Sequence, residues 1–173
     1  MYARLTSALA VACLISGATL AAGTKVTDPQ IAHIAYTAGV IDIEAAKQAL
    51  KISKDKEVIS FANDMLRDHE AVNKQALDLV KKLKLTPEDN DTSRVLTKAA
   101  TQEREKLAKL SGADFDKAYV TNEVGYHKQV NGALETLLIP SAKNAELKEL
   151  LETGLKLFQG HQQHAEHVAE MMK

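Results

Sequence analysis

Val58, Ala62, Met65, His69, Val72, Ala76, Leu79 and Leu83 follow one another in alternating steps of four and three residues. Two later stretches keep the same rhythm. Val120, Glu123, His127, Val130, Leu134 and Leu137 form one; Leu147, Leu151, Gly154, Phe158, His161, Ala165, Val168 and Met172 form the other. A step that averages about 3.5 residues returns to one side of a helix, and such seams bury themselves against other helices in a left-handed bundle. An earlier stretch, Ile31, Ile34, Ala38, Ile41, Ala45 and Ile52, gives a less regular apolar face. Alternation with a period of two, the mark of a half-buried strand, does not appear, and Ala, Leu, Lys, Glu and Gln dominate as in helical proteins.

Punctuation divides the chain into five helical pieces. The first is expected from Asp28, as N-cap before Pro29, to Ile52. The second runs from Asp55 to Leu85, followed by a turn at Thr86-Pro87-Glu88-Asp89. A shorter third spans Thr92 to Leu110 and stops at Ser111-Gly112. The fourth runs from Asp114 to Ile139, where Pro140 stops it, and the last from Asn144 to the C-terminus. The expectation is therefore all-α: a four-helix bundle with an extra short helix in the connection between the second and third long helices. That helix could travel about 27 Å at 1.5 Å per residue. If it crosses the bundle, the arrangement is of ferritin-like type; if it folds back, the bundle is up-down-up-down.

The first 22 residues read as a removable signal peptide. Arg4 is the positive n-region, Leu5 to Leu20 is apolar, and Ala18 to Ala22 offers small residues for cleavage. The apolar run is too short for a comfortable membrane span. Cys13, the one cysteine, lies within it, and the preceding Ala10-Val11-Ala12 fits a lipidation motif poorly. Residues 23–173 are then expected as one cysteine-free domain, without disulfide or thiolate metal site, in the periplasm. Losing Arg4 takes the formal charge from -1 to about -2. A near-neutral chain with interspersed signs has no electrostatic footprint for nucleic acid, and no second long apolar run suggests stable membrane insertion.

The seams carry residues that do not belong there. His69, His127 and His161 lie on three different seams at similar depth, and Glu123 sits one turn before His127. Burying an imidazole or carboxylate without a partner costs several kcal/mol, and a shared metal ion would satisfy them together. His164 lies one turn past His161. On the first helix the residues at this level are Asp42 and Glu44, which cannot both face inward because they are about 200° apart around the helix. Glu44 and His164 are taken as secondary ligands beside His69, Glu123, His127 and His161. Imidazole with carboxylate suits zinc, iron or copper. Asp68, beside His69, points off the seam and could orient it. His33 could join only in the up-down-up-down arrangement, near His164, and His167 falls on the surface. Met65, Tyr119 and Tyr126 read as packing residues. No G-x-S-x-G, cysteine nucleophile or phosphate-cradling glycine loop is present.

Phe61-Ala-x-x-Met65-x-x-Asp68-His69 with Asn73-Lys74-Gln75-Ala76 resembles an exported bacterial family known as domain of unknown function four-one-four-two. So do Ile31-Ala-His33-Ile34, Thr86-Pro-Glu-Asp-Asn90, Phe115-Asp-Lys-Ala-Tyr119, Glu123-Val-x-Tyr-His127, Leu138-Ile-Pro140 and His161-x-x-His164-Ala165. The resemblance implies a periplasmic, ferritin-like helical bundle, and its recurrent histidines match His33, His69, His127, His161 and His164. Members often carry an outer-membrane label, which cannot mean a β-barrel in a chain without strand pattern. The resemblance implies neither metal identity nor activity.

Three functional readings stay open. The first is an exported protein that binds a transition metal through its core histidines and glutamate. The second is an oxidoreductase with a dinuclear iron or manganese centre, which needs more inward carboxylates than Glu123. The third is an envelope-stress or interaction module whose buried histidines sense pH.

Overall fold

Thr27, rather than the expected Asp28, caps the first helix. Its hydroxyl accepts from Gln30 N–H at 3.4 Å, and the Gln30 side chain accepts from Thr27 N–H at 3.2 Å. This reciprocal pair satisfies two donors that a helix start leaves open. Asp28 instead ties the start of the helix to a distant loop. Its carboxylate accepts from Lys143 N–H and Asn144 N–H at 2.8 and 2.9 Å. The computed structural model describes residues 26–173. The expected signal peptide, residues 1–22, and Cys13 lie outside the described residues.

Helix α1 covers Asp28–Ile52 and α2 Lys56–Lys82, with Asp55 as its cap. The second helix ends before the expected Leu85, because Lys84 takes a left-handed φ of 51°. Helix α3 covers Asp91–Leu107 behind an Asn90 cap, and α4 begins at Gly112, two residues before the expected Asp114. Gly112 has φ +54°, a conformation that costs a glycine little. Helix α4 then runs to Ala133.

Pro140 does not simply stop α4. The chain widens into a π turn over Leu134–Leu138 and continues as one more helical turn, α5, Ile139–Ser141. The Ile139 N–H reaches back five residues to the Leu134 carbonyl. Proline has no N–H and crowds the carbonyl four residues earlier, so a wider turn ahead of it is a way to keep the chain helical. The register shifts with it: Leu138, not the expected Leu137, is buried beside Leu134. The last helix, α6, covers Ala145–Met171 behind an Asn144 cap.

Two apolar clusters mark the ends of the bundle. At one end Ile31 and Ile34 meet Leu134, Leu138, Leu147 and Leu151, with Leu79 and Leu96 packed against them. At the other, Ala46 and Ala49 meet Val58, Phe61, Leu107, Phe115, Tyr119 and Val168. The start of α1, the end of α2, the start of α3, the end of α4 and the start of α6 therefore share the first end. It follows that α3 crosses from the first end to the second, and that α2 and α4 run parallel. Helix α1 packs against α2 and α4, α6 against α2 and α4, and α3 lies along α1 on the outside. The architecture is all-α, with five helices of several turns and no strand among the described residues. No helix among the described residues is long and apolar enough to cross a membrane.

Candidate metal centre

Between the two apolar clusters lies a polar layer. Asp42 enters it from α1, His69 from α2, Glu123 and His127 from α4, and His161 from α6. None of the five exceeds 5 % exposure. The heptad seams bring the last four inward, since each occupies a position where the neighbouring seam residues are Met65, Val120 or Ala165. The three imidazole rings pack edge to face or tilted, with centroids 5.2 Å apart for His69–His161, 5.5 Å for His127–His161 and 5.8 Å for His69–His127.

The hydrogen bonds around this layer fix which nitrogens are bare. His127 Nδ1 lies 3.0 Å from the Glu123 carbonyl oxygen, which can only accept. Nδ1 must therefore carry the proton, and in the neutral ring Nε2 keeps a lone pair. His161 Nε2 lies 3.1 Å from Asp68 Oδ2, so Nε2 donates and Nδ1 keeps the lone pair. Both bare nitrogens are buried with no hydrogen-bond partner among the described residues, and so are both ring nitrogens of His69. A buried polar atom without a partner costs about 1–3 kcal/mol, and a cluster of them calls for an explanation.

Proximity supplies one. His69, His127 and His161 each offer a ligand nitrogen, and these atoms all lie within 4.8 Å of one another. Asp42, Glu123 and His127 form a second group with the same property. A small inward adjustment brings such atoms to the ~2.0–2.2 Å of metal–imidazole and metal–carboxylate bonds. Either group could hold a metal ion. The two share His127, and His69 Nε2 lies 3.5 Å from Asp42 Oδ2, so they form one continuous layer.

Burial sets the proton inventory. It pushes the His69 imidazole well below the usual range, helped by its histidine neighbours, and lowers His127 to about 4. His161 is lowered too, against the pull of Asp68. All three rings are neutral near pH 7, which is the state a metal ligand needs. Burial and then the charge of Glu123 raise the Asp42 carboxyl well above its usual value. Burial raises Glu123 to about 7, with hydrogen bonds from Asp42 and Asn122 partly offsetting it. Two buried carboxyls at this distance cannot both ionise cheaply, so they hold a proton that a cation would displace.

A family model described as a domain of unknown function (DUF4142) matches residues 16–168. The chain belongs to that family. No curated protein and no solved structure matches it.

Within this DUF4142 chain the secondary ligands expected from sequence fall elsewhere. Glu44 is on the exposed side of α1, 3.3 Å from Lys47, and Asp42 takes the inward position instead. Asp42 was legible as a mid-level residue, but the uneven apolar face of α1 gave no basis for preferring it. His164 stands outside the layer, half-buried, with its ring against the edge of Phe61 and Nδ1 3.8 Å from Asp64. His33 joins α1 to α3 through Ser93 Oγ at 2.8 Å, away from the cluster, and His167 is exposed. Asp68 orients His161 rather than its neighbour His69. The Arg67 guanidinium beside it, and then His161, hold its carboxyl below the usual range. Tyr126 donates to the Ala38 carbonyl at 3.0 Å. The Tyr119 hydroxyl is buried with no hydrogen-bond partner among the described residues, though spacing alone marks it only as packing; burial, then Glu123 and Asp42, raise its pKa well above the usual value.

Proposed function

We propose that this is an exported, periplasmic protein whose residues 23–173 form a ferritin-like bundle that binds a transition metal, zinc, iron or copper, in its core. The observation that carries the reading is the buried trio His69, His127 and His161, which bring one ring nitrogen each within 4.8 Å of one another and keep ring nitrogens without a hydrogen-bond partner among the described residues. The full-length crossover by α3, with α2 and α4 parallel, supports the ferritin-like description. The apolar start of the chain supports export by a signal peptide over residues 1–22.

In this reading His69, His127 and His161 hold one ion, with Asp68 and the Glu123 carbonyl setting the tautomers of two of them. Asp42 and Glu123 supply carboxylate oxygens on the His127 side. Any bound ion would supply Lewis acidity there, and iron or manganese a redox couple as well. The test is elemental analysis of protein purified without an affinity tag, beside a His69→Ala/His127→Ala variant. A stoichiometric transition metal that the variant loses is expected. Equal, substoichiometric metal in both would overturn the reading.

Asp42 gives specific support to a second reading, the metal-dependent oxidoreductase. Sequence spacing offers a single inward carboxylate, which suits a dinuclear iron or manganese site poorly. With Asp42 the layer holds two carboxylates and three imidazoles. Oxygen or peroxide consumption by the iron-loaded protein, lost in Asp42→Ala, is the expected sign. A pH-sensing module without metal finds less support, because burial lowers His69 well below the usual range and His127 to about 4.

A further inference from the structure

The two ends of the bundle differ in packing. At the second end Ala46, Ala49, Val58, Phe61, Met65 and Val168 are fully inaccessible. At the first end the heptad positions Val72 and Ala76 of α2, Val130 of α4 and Leu137 of the π turn are only partly buried. They face a cavity of about 500 Å³. Small residues on α1 leave that space open: Ala32, Ala35 and Ala38 line it where larger side chains would fill it. Protein interiors hold few voids larger than a water molecule, whereas sites for small molecules measure about 300–1,000 Å³.

The walls specify the chemistry of an occupant. They are mostly aliphatic, with Ile34, Leu134, Leu138, Leu147 and Leu151 at the buried side and the neutral amide of Asn73 among them. No lysine, arginine or histidine lines the cavity among the described residues. Its one carboxylate, Asp91, stands at the rim with a side chain 96 % exposed. An anionic headgroup would meet no cation there and one negative charge. A neutral polar end would find Thr92, Gln129 and Thr136, which also belong to the lining and are accessible.

We propose that this chamber binds a neutral aliphatic molecule, an alkyl or isoprenoid chain ending in at most a hydroxyl or carbonyl group. Its inner wall includes Phe158, whose ring stacks on His69 with centroids 4.7 Å apart and planes 11° apart. An occupant would thus touch a ring that rests on the polar layer. The proposal does not depend on whether that layer holds metal.

The test uses the purified protein and N-phenyl-1-naphthylamine, a neutral probe that fluoresces in apolar surroundings. Saturable enhancement is expected, with n-dodecanol displacing the probe at about tenfold lower concentration than dodecanoate. Ala38→Leu/Ala76→Leu fills the chamber and should weaken probe binding by about tenfold or more while its thermal midpoint stays at or above that of the parent. Should that pair not fold, Ala35→Leu alone is the comparison, with the same loss expected. The proposal is overturned by the absence of saturable enhancement, by dodecanoate competing as well as dodecanol, or by undiminished binding in a folded, filled variant.

Discussion

His161 on α6 and Asp68 on α2 are joined by a 3.1 Å contact between Nε2 and Oδ2, one residue before His69. One turn of α2 thus contributes both a candidate ligand and the group that orients another helix's ligand. The carboxylate can only accept, so it holds the proton on Nε2 and leaves Nδ1 bare. Asp68→Asn ends that constraint, because an amide can either donate or accept. The expected result is a loss of about 10–100-fold in metal affinity with little change in melting temperature, measured by competition with a chelator of known affinity. An unchanged affinity would show that Asp68 does not position His161 for an ion.

Metal loading should release protons, and the amount should depend on pH in a defined direction. Glu123 sits at about 7, so at pH 6 it is largely protonated, and burial with the charge of Glu123 raises Asp42 in the same direction. A cation bound by these oxygens displaces those protons. Release should be largest near pH 6 and shrink as pH rises through about 7 and beyond. Calorimetry in buffers of different ionisation enthalpy measures it. Glu123→Gln should reduce the release at pH 6, and a release that does not vary with pH would argue that the carboxyls stay outside the metal site.

The metal-free protein should show two opposed pH trends. Glu123 has a folded pKa raised from its ordinary 4.5 to about 7, so its contribution to stability is present below 4.5 and is lost as pH rises through about 7. The histidines have lowered folded values. Their contribution is present above the ordinary 6.5 and is lost as pH falls, for His127 through about 4. Between these limits the trends oppose each other. Glu123→Gln should therefore gain stability relative to the parent as pH rises from about 5 to 8, by up to a few kcal/mol. Thermal melts with chelator across that range check this; a difference that stays constant with pH would contradict it.

His69, His127 and His161 were legible because α2, α4 and α6 each bury one face and leave the other in water, so an inward polar residue stands out from its seam. Helix α1 gives no such contrast. It lies between the bundle and α3, and Ile41, Asp42, Ile43, Ala45 and Ala46 are all buried. With both sides covered, periodicity cannot tell Asp42 from Glu44, and the exposed residue was as good a candidate as the buried one. The direction of the crossover was equally hidden, since the length of α3 permits both topologies. Leu107 beside Ala49 and Phe115 at one end, with Leu96 near Ile31 at the other, decides it. The π turn was signalled only by Pro140, which reads as a stop because proline usually is one.

Gly39 of α1 packs directly against the Asn73 side chain of α2, and a methyl group there should be costly. A Cβ on Gly39 would lie 2.3 Å from Asn73 Oδ1 and 2.9 Å from its Cγ. Asn73 is buried and donates to the Tyr36 carbonyl at 3.4 Å, so its side chain cannot move aside without losing that bond. Overpacking of a fixed contact costs about 1–3 kcal/mol, which outweighs the roughly 0.5–1 kcal/mol that alanine gains over glycine within a helix. Gly39→Ala should therefore lower stability in urea by about 1–2 kcal/mol. The cause is separable by a double-mutant cycle. In an Asn73→Ala background the same substitution should cost much less or become favourable, because the clashing amide is gone. Equal costs in both backgrounds would place the strain elsewhere in the α1–α2 contact.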